Sequence, residues 1–317
     1  MTKDKPLQMS HLVSIQDISE RDILKILDYA QRIKQNPSAF KEQLPDKILA
    51  LAFWEPSTRT RLSFESAMLR LGGRTVGFST PAGTSVEKGE SLTDTIMMLV
   101  GYADGIVLRH PKRGSAKLAA NVADKHGVPV ISGGSGSQEH PTQALLDIFT
   151  IREKLGHLSG LNVGIMGDLR YSRTISSLLF ALSKFGRNSI NLISHPLLSL
   201  QEELRFDLEK SNLEFTNKED LSDIMKDLDV LYVTRLQKER FPDPMLFDKV
   251  KGAYKLKPRL LSLAKSELLI LHPLPRVDEI PYDIDRFPQA SYFEQAQNGV
   301  FVRMALLDYL LGDKHEE

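Results

Sequence analysis

The chain of 317 residues contains no cysteine. This absence excludes disulfides, thiol nucleophiles and cysteine-based metal sites, and it fits the reducing environment of the cytoplasm, where we expect the protein to be located. An excess of one charge is also lacking, since 41 Lys and Arg residues balance 41 Asp and Glu residues. The overall charge therefore gives no reason to expect binding to nucleic acid or to an anionic membrane surface.

Long apolar runs and common cofactor motifs are absent as well. No run is long enough to span a bilayer and the N-terminal segment has no apolar signal region, so neither membrane insertion nor secretion is expected. The eight histidines do not cluster, and neither H-E-x-x-H nor an EF-hand loop occurs, so we expect no metal. Gly167 is the only glycine in a turn where a dinucleotide-binding protein would carry G-x-G-x-x-G, so no nicotinamide cofactor is expected.

Short apolar runs alternate with amphipathic segments along the chain. Strands are predicted at 48–53, 75–78, 105–108, 128–132, 163–166, 190–193, 230–233 and 268–271. Helices are predicted at 19–34, 62–71, 92–102, 116–125, 141–155, 174–185, 202–210 and 299–311. This alternation predicts an α/β fold with two domains, each a parallel sheet flanked by helices. The boundary is predicted in the 141–155 helix or just after it, and the last helix could pack on either domain.

The stretch 55–61, with the sequence EPSTRTR, joins the predicted strand 48–53 to the predicted helix 62–71. It places three hydroxyls and two guanidiniums on this turn: Ser57, Thr58, Thr60, Arg59 and Arg61. A helix N-terminus offers free backbone N–H groups, and arginine offers a planar fork that suits phosphate oxygens. A simple helix cap needs one hydroxyl and no arginine, so we interpret the stretch as a phosphate cradle.

Other polar side chains follow predicted strands of the first half. Arg109 ends one strand and could reach an anion held by the cradle, or could be a surface arginine. His140 and Gln143 share a face at a predicted helix start and suit a carbonyl or an amide, although a capped helix would carry the same residues. Ser85 and Lys88 precede another helix and could grip a phosphate, but a solvated loop is the simpler interpretation there.

Arginines and a proline-rich turn follow strands of the second half. Arg173 comes after the strand 163–166 and Arg235 after the strand 230–233, and two arginines at strand ends of one domain suit a dicarboxylate. The turn 272–276, with the sequence HPLPR, is stiff and exposes backbone carbonyls that could accept from an ammonium or an amide. These features favour a protein that binds and orients a phosphorylated electrophile without a covalent intermediate.

Three motifs together, STRTR at 57–61, HPTQ at 140–143 and HPLPR at 272–276, resemble the transcarbamoylase family. The resemblance covers nearly the whole chain in the right order, including the segments 167–174 and 234–240. It implies transfer of the carbamoyl group from carbamoyl phosphate to the amino group of L-aspartate, in de novo pyrimidine biosynthesis. No cofactor and no metal are implied.

The resemblance also implies a domain division. Residues 1–148 would form a carbamoyl phosphate-binding domain, to which the C-terminal helix 299–317 would return, and residues 149–298 would form an aspartate-binding domain. The family works as a homotrimer with active sites shared between subunits, so Ser85 and Lys88 would come from a neighbouring chain. Whether a regulatory chain or a dihydroorotase joins the trimer is left open.

Roles of individual residues are implied by the same resemblance. Carbamoyl phosphate would be bound by Ser57, Thr58, Arg59, Thr60, Ser85, Arg109, His140, Gln143, Leu274 and Pro275. Aspartate would be bound by Lys88, Arg173, Arg235 and Gln237. The catalytic groups would be Arg59, Thr60, Lys88, Arg109 and His140.

Two alternatives stay open at this point. A transcarbamoylase for ornithine would share the cradle, but those enzymes usually carry cysteine in the motif that is HPLPR here, and Arg173 with Arg235 would not suit an ammonium. An inactive paralogue that serves as a scaffold would be expected to lack cradle residues or Lys88, which this chain retains.

Overall fold

A computed structural model of the chain describes residues 7, 9–136, 139–237, 241, 244–250 and 254–312. The chain forms two compact units, one of Met1–Leu145 with Asn298–Glu317 and one of Leu146–Gln297. Two parts of the sequence interpretation, 238–240 of a family motif and 313–317 of the C-terminal segment, lie outside the described residues.

The first unit is built on a parallel sheet of four strands. These are β1 Ile48–Phe53, β2 Arg74–Phe78, β3 Gly105–His110 and β4 Val130–Ser135, in the spatial order β2-β1-β3-β4. Five of the six β1 side chains are buried, as expected for a central strand that helices cover on both faces. The fourth strand begins and ends later than its predicted range of 128–132.

Five helices follow the predicted segments of the first unit. They are α1 Glu20–Gln35, α2 Thr58–Arg70, α3 Leu92–Leu99, α4 Ser115–Asp124 and α5 Pro141–Leu155. The second of these begins at Thr58 rather than at 62, because the polar stretch after β1 itself forms the first helical turn. The last of them carries the chain into the second unit.

The second unit contains a parallel sheet of five strands. These are β5 Asn162–Met166, β6 Asn188–Ile193, β7 Leu213–Lys218, β8 Val230–Val233 and β9 Leu269–Leu271, in the order β7-β6-β5-β8-β9. The helices of this unit include α6 Arg173–Leu182, α7 Glu202–Glu209 and α8 Pro244–Val250. The sequence alone does not predict β7, an edge strand in which three of six residues are exposed, or the short α8.

The last helix, α9, spans Tyr292–Leu311 and packs on the first unit with its C-terminal part. A Cβ atom on Gly105 of β3 would lie 2.7 Å from Cδ2 of Leu311, so the helix end rests directly on the sheet. The Lys34 ammonium donates to Oδ1 of Asn298 at 2.8 Å, which ties α9 to α1. These contacts confirm that the C-terminal helix returns to the first domain, and they exclude packing on the second domain alone.

Candidate active site

In each sheet, the first strand along the chain has later strands on both of its sides, so the strand order changes direction next to it. In the first sheet β2 lies on one side of β1 and β3 on the other, and in the second sheet β6 and β8 flank β5 in the same way. Ligands of open parallel sheets bind beyond the carboxyl ends of the strands at such a position. The polar motifs that follow β1, β3, β5 and β8 fall at these two positions.

The phosphate cradle forms the N-terminus of α2. Ser57 is the N-cap residue, with an extended backbone and no capping hydrogen bond from its side chain, and the first turn contains no acidic residue. Thr58 and Arg59 are exposed in this turn. Arg61 pairs with Glu65 at 3.2 Å, one turn further along the helix. The helix start therefore combines free backbone donors, hydroxyls and a guanidinium, which suits an anion.

Two buried side chains from different helix starts meet beside the cradle. Oγ1 of Thr60, in the first turn of α2, lies 3.4 Å from Nε2 of His140, which directly precedes α5. The carbonyl of His140 accepts from the backbone N–H of Gln143 at 2.9 Å, so Gln143 lies in the first turn that follows. The structure thus brings together a hydroxyl and an imidazole, both of which can donate to one oxygen atom.

Arg109 lies near the carboxyl end of β3, in register with Phe53 at the end of β1. Its Nη1 donates to the carbonyl of Gly133 at 3.1 Å, and its Nε lies 3.7 Å from a carboxylate oxygen of Glu55. These contacts fix the guanidinium at the edge of the sheet where the cradle begins. The side chain is mostly buried, which strengthens its interaction with an anion relative to an exposed arginine.

Arg303 of α9 is a buried residue to which the sequence alone assigns no role. Its guanidinium donates to Oγ of Ser63 in α2 at 2.9 Å and to Oγ1 of Thr142 in α5 at 3.2 Å. It also lies over the ring of Phe64, 4.9 Å from the ring centroid. Arg303 therefore ties together the two helices whose N-terminal ends carry the cradle and the imidazole. A charged residue within the otherwise apolar FVRMALL segment is the sequence signal that could have identified it.

Ser85 and Lys88 lie on a 3-10 turn between β2 and α3. The Thr84 side chain caps this turn by accepting from the N–H of Val86, and Gly89 ends it with a φ of 95°, in the left-handed region that favours glycine. The Ser85 and Lys88 side chains are both exposed. A single chain thus presents these two residues to solvent rather than burying them beside Thr60.

In the second unit, one buried carboxylate joins the loops that follow β5 and β8. Asp168 accepts from the N–H groups of Tyr171 at 2.9 Å and Gln237 at 3.3 Å, and its own N–H donates to Oγ1 of Thr234 at 3.1 Å. Gly167 is required at this approach, since a Cβ atom there would lie 2.2 Å from the carbonyl oxygen of Thr234. The sequence alone assigns Asp168 no role, because two of its partners, Thr234 and Gln237, lie more than sixty residues away along the chain.

The arginines expected to bind a dicarboxylate lie on these joined loops. Arg173 is the buried first residue of α6, and Arg235 follows β8 in a half-buried position. Nη1 of Arg235 donates to the carbonyl of Leu236 at 3.3 Å, and Nε2 of Gln237 donates to the carbonyl of Tyr171 at 3.4 Å. Two guanidiniums and one amide at the switch point of the second sheet suit a ligand with two carboxylates.

The proline-rich turn after β9 is held by an imidazole. The Leu274–Pro275 peptide bond is cis, and Leu274 has a φ of 49°. Nδ1 of His272 accepts from the N–H of Leu274 at 2.8 Å, so the proton of the neutral ring is on Nε2, which donates to Glu279 at 2.7 Å. This buried pair fixes the position of the turn relative to the segment that follows it.

The environment of His272 favours its neutral form. Burial lowers the pKa of His272, the guanidiniums of Arg235 and Arg276 add to this effect, and the hydrogen bond with Glu279 acts in the opposite direction. A neutral ring is what the contacts require, since Nδ1 must be free of a proton to accept from the turn.

Two kinds of feature are not found in the described part of the chain. No helix among the described residues is both long and apolar enough to cross a membrane. The same residues contain no group of three or more histidines and carboxylates that could hold a metal ion.

Two family models match the chain. The model described as the carbamoyl-P binding domain of aspartate/ornithine carbamoyltransferase matches residues 10–153. The model described as the Asp/Orn binding domain of the same enzymes matches residues 159–310. Together they cover most of the two units.

Individual proteins are similar to the chain over almost its whole length. The aspartate carbamoyltransferase catalytic subunit of Methanocaldococcus jannaschii is 49% identical, over 98% of this chain and 100% of that protein. The structure of Trypanosoma cruzi aspartate transcarbamoylase in complex with carbamoyl phosphate and aspartate is 34% identical, with a TM-score of 0.91 over 98% of this chain and 100% of that one. The same enzyme in complex with carbamoyl aspartate and phosphate is 35% identical, with a TM-score of 0.91 and the same coverage.

Proposed function

Because this chain belongs to the aspartate/ornithine carbamoyltransferase family, we propose that its first unit holds carbamoyl phosphate and that its second unit supplies the groups that hold aspartate. The reaction is transfer of the carbamoyl group from carbamoyl phosphate to the amino group of L-aspartate, which gives N-carbamoyl-L-aspartate and phosphate in de novo pyrimidine biosynthesis. The observation that carries the assignment of the two units is the location of a polar motif at the switch point of each sheet.

The chemistry needs no covalent intermediate. The lone pair of the aspartate amine attacks the carbamoyl carbon, the bond between this carbon and the phosphate oxygen breaks, and phosphate takes the amine proton. Negative charge grows on the carbonyl oxygen during the attack. Donors that already point to this oxygen stabilise the charge, and removing one such donor typically costs about 2.7–4 kcal/mol of transition-state stabilisation.

We assign the phosphate group to the start of α2. The uncapped hydroxyl of Ser57, the hydroxyl of Thr58, the guanidinium of Arg59 and the N–H groups of the first turn supply donors, and the absence of an acidic residue there supports this assignment. Arg109 lies at the same sheet edge and completes the set.

We assign the carbamoyl group to the residues next to the cradle. Thr60, Arg109 and His140 donate to its carbonyl oxygen, and the 3.4 Å distance between the first and last of these supports a shared acceptor. Gln143 binds the amino group together with the backbone carbonyls of Leu274 and Pro275, because a carbonyl oxygen accepts the hydrogen bonds that an NH2 group donates.

We assign the two aspartate carboxylates to Arg173 and Arg235, with Gln237 as a further contact. Bidentate guanidinium–carboxylate pairs are geometrically specific and about twice as strong as neutral hydrogen bonds. The buried Asp168, which joins the two loops, keeps these donors in a fixed relative position. Two fixed cations favour aspartate over ornithine, whose side chain ends in an ammonium.

We further propose a homotrimer in which Ser85 and Lys88 complete the site of a neighbouring chain, Ser85 on carbamoyl phosphate and Lys88 on both substrates. The exposure of both side chains on a rigidly capped turn supports this role. A regulatory chain or a dihydroorotase as an additional partner is a question for the native complex, and its mass distinguishes the two. The expected location of the enzyme is the cytoplasm.

Substrate choice tests the assignment of the second unit. The purified enzyme is incubated with carbamoyl phosphate and either L-aspartate or L-ornithine, and the carbamoylated product is measured. We expect turnover with aspartate and none with ornithine, and Arg173→Ala should raise the KM for aspartate strongly while leaving the KM for carbamoyl phosphate nearly unchanged. Turnover with ornithine alone would refute the assignment.

A further inference from the structure

A network of buried hydrogen bonds extends through the second unit to the Leu274–Pro275 turn. The Tyr232 hydroxyl donates to Oδ2 of Asp147 at 2.9 Å, and Nε2 of Gln295 donates to Oδ1 of the same carboxylate at 2.6 Å. Oε1 of Gln295 accepts from the backbone N–H of His272 at 2.8 Å, and Nδ1 of His272 accepts from the N–H of Leu274 at 2.8 Å. The side chains of the first four residues are almost completely buried.

The donors and acceptors of this hydrogen-bond network fix the orientation of the Gln295 amide and of the His272 ring. The carboxylate of Asp147 accepts, so Gln295 must turn its NH2 group toward Asp147 and its carbonyl toward His272. The imidazole is held from the other side by Glu279, which leaves Nδ1 facing the turn. The amide plane that precedes Leu274 is therefore held by a series of buried hydrogen bonds in which each donor meets an acceptor.

The turn needs such support because of its backbone conformation. Leu274 has a φ of 49°, in the left-handed region that branched side chains rarely occupy. A residue stays in such a conformation only when surrounding contacts hold it there. The hydrogen bond from the N–H of Leu274 to Nδ1 of His272 is the contact that the buried hydrogen-bond network provides.

We propose that Asp147, Gln295 and His272 are positioning residues that aim the carbonyls of the Leu274–Pro275 turn and so make the enzyme select a carbamoyl donor over an acyl phosphate. The proposal rests on the proposed role of this turn in binding the amino group of carbamoyl phosphate. Acetyl phosphate is the matched probe, because a methyl group replaces the NH2 group and cannot donate to the carbonyls.

The test compares two substitutions of His272 by calorimetric titration with carbamoyl phosphate, acetyl phosphate and inorganic phosphate. In H272N the side-chain oxygen can take the place of Nδ1 and accept from Leu274, whereas in H272Q the amide reaches the position of Nε2 and leaves Leu274 without its acceptor. We expect H272Q to lose about 10-fold of the preference for carbamoyl phosphate over acetyl phosphate, with phosphate binding changed by less than about twofold. H272N should keep most of the preference.

The outcomes separate this proposal from the proposed function of the turn. If the unmodified enzyme binds carbamoyl phosphate and acetyl phosphate equally tightly, the turn does not bind the amino group, and the assignment of Leu274 and Pro275 is wrong. If the unmodified enzyme prefers carbamoyl phosphate and H272Q keeps that preference, or H272N loses as much as H272Q, then His272 does not act by positioning the turn.

A milder change keeps the proposal testable if H272Q does not fold. Tyr232→Phe removes one donor to Asp147, at the end of the hydrogen-bond network that is farthest from the turn. This change should lower the preference for carbamoyl phosphate over acetyl phosphate about threefold. The matched control is Tyr29→Phe, which removes a buried tyrosine–carboxylate bond to Asp308 in the first unit. The control should lose stability and keep the preference, whereas an equal change in both variants would mean that only general destabilisation is being measured.

Discussion

Oγ1 of Thr60 lies 3.4 Å from Nε2 of His140, although 80 residues separate them along the chain. An oxygen atom that accepts from both groups meets donors that are already close together, so little reorganisation accompanies the growth of charge on it. The pair depends on how α2 and α5 are held relative to each other. Arg303 supplies that connection through its bonds to Ser63 and Thr142.

Ser63→Ala removes one of the two hydroxyls that accept from Arg303. The buried guanidinium then loses an acceptor, so we expect the free energy of unfolding to fall by about 1.5–3 kcal/mol and kcat/KM for carbamoyl phosphate to fall as well. Urea unfolding and steady-state kinetics measure the two effects. The control is Ser66→Ala, whose hydroxyl accepts at 3.3 Å from the exposed Arg70 and should matter by less than about 0.5 kcal/mol. Equal losses in both variants would leave Arg303 without a special role.

Arg59→Ala is expected to reduce kcat at least ~100-fold without unfolding the protein, because its guanidinium is exposed at the helix start that we assign to phosphate. Arg61→Ala is the matched control two residues further along the helix. Arg61 pairs with Glu65, and the loss of a surface ion pair has a small effect on stability and none on phosphate binding. Initial rates and thermal unfolding are measured for both. Substantial activity in Arg59→Ala would remove this residue from the phosphate site.

The sequence predicts the central strands well and the peripheral elements poorly. The run Ile48–Phe53 is recognisable because a parallel strand buried on both faces consists of apolar residues throughout. The edge strand Leu213–Lys218 carries polar residues that face solvent, and its alternation of apolar and polar residues is limited to the first four positions, LEFT. The start of α2 is predicted too late for a related reason, since its first turn is built from the polar residues of the cradle rather than from residues that face the core.

For the candidate site, residues at strand ends are predictable and residues that support them are not. Arg173 and Arg235 lie on the segments that follow the apolar strands β5 and β8, so the topology of a parallel sheet places them at its ligand-binding edge. Arg303 and Asp168 act through partners that are distant along the chain, and neither periodicity nor spacing encodes such partners. The acceptor role of His272 also follows only from the structure, because it depends on the backbone of the turn.

Mixing two inactive variants tests whether sites are shared between chains. Arg59→Ala and Lys88→Ala chains are each expected to be inactive as homotrimers. In trimers reassembled from an equal mixture, a site formed by an intact Arg59 from one chain and an intact Lys88 from its neighbour arises at about a quarter of the positions, if assembly is random. We therefore expect recovery of up to about one quarter of the normal activity. Reassembled mixed trimers without activity would mean that Lys88 does not act across the interface.

The buried His272 predicts a loss of stability in mild acid. Its pKa is lowered by burial, whereas in the unfolded chain a histidine titrates near 6.5. Below pH 6.5 the unfolded state therefore binds more protons than the folded state, and the free energy of unfolding falls as the pH falls, by at most about 1.4 kcal/mol per pH unit for this residue. Above that pH the contribution is constant, because the ring is neutral in both states.

H272N removes this titration while keeping an acceptor for the N–H of Leu274, so the unfolding free energy of the variant should depend less on pH than that of the unmodified enzyme. Urea unfolding at about pH 7.5 and about pH 5.5, at one protein concentration so that any association between chains contributes equally, gives the difference between the two slopes. The unmodified enzyme, measured in parallel, is the reference for this slope. A slope for H272N equal to that of the unmodified enzyme would show that His272 takes up its proton in the folded state as readily as in the unfolded one.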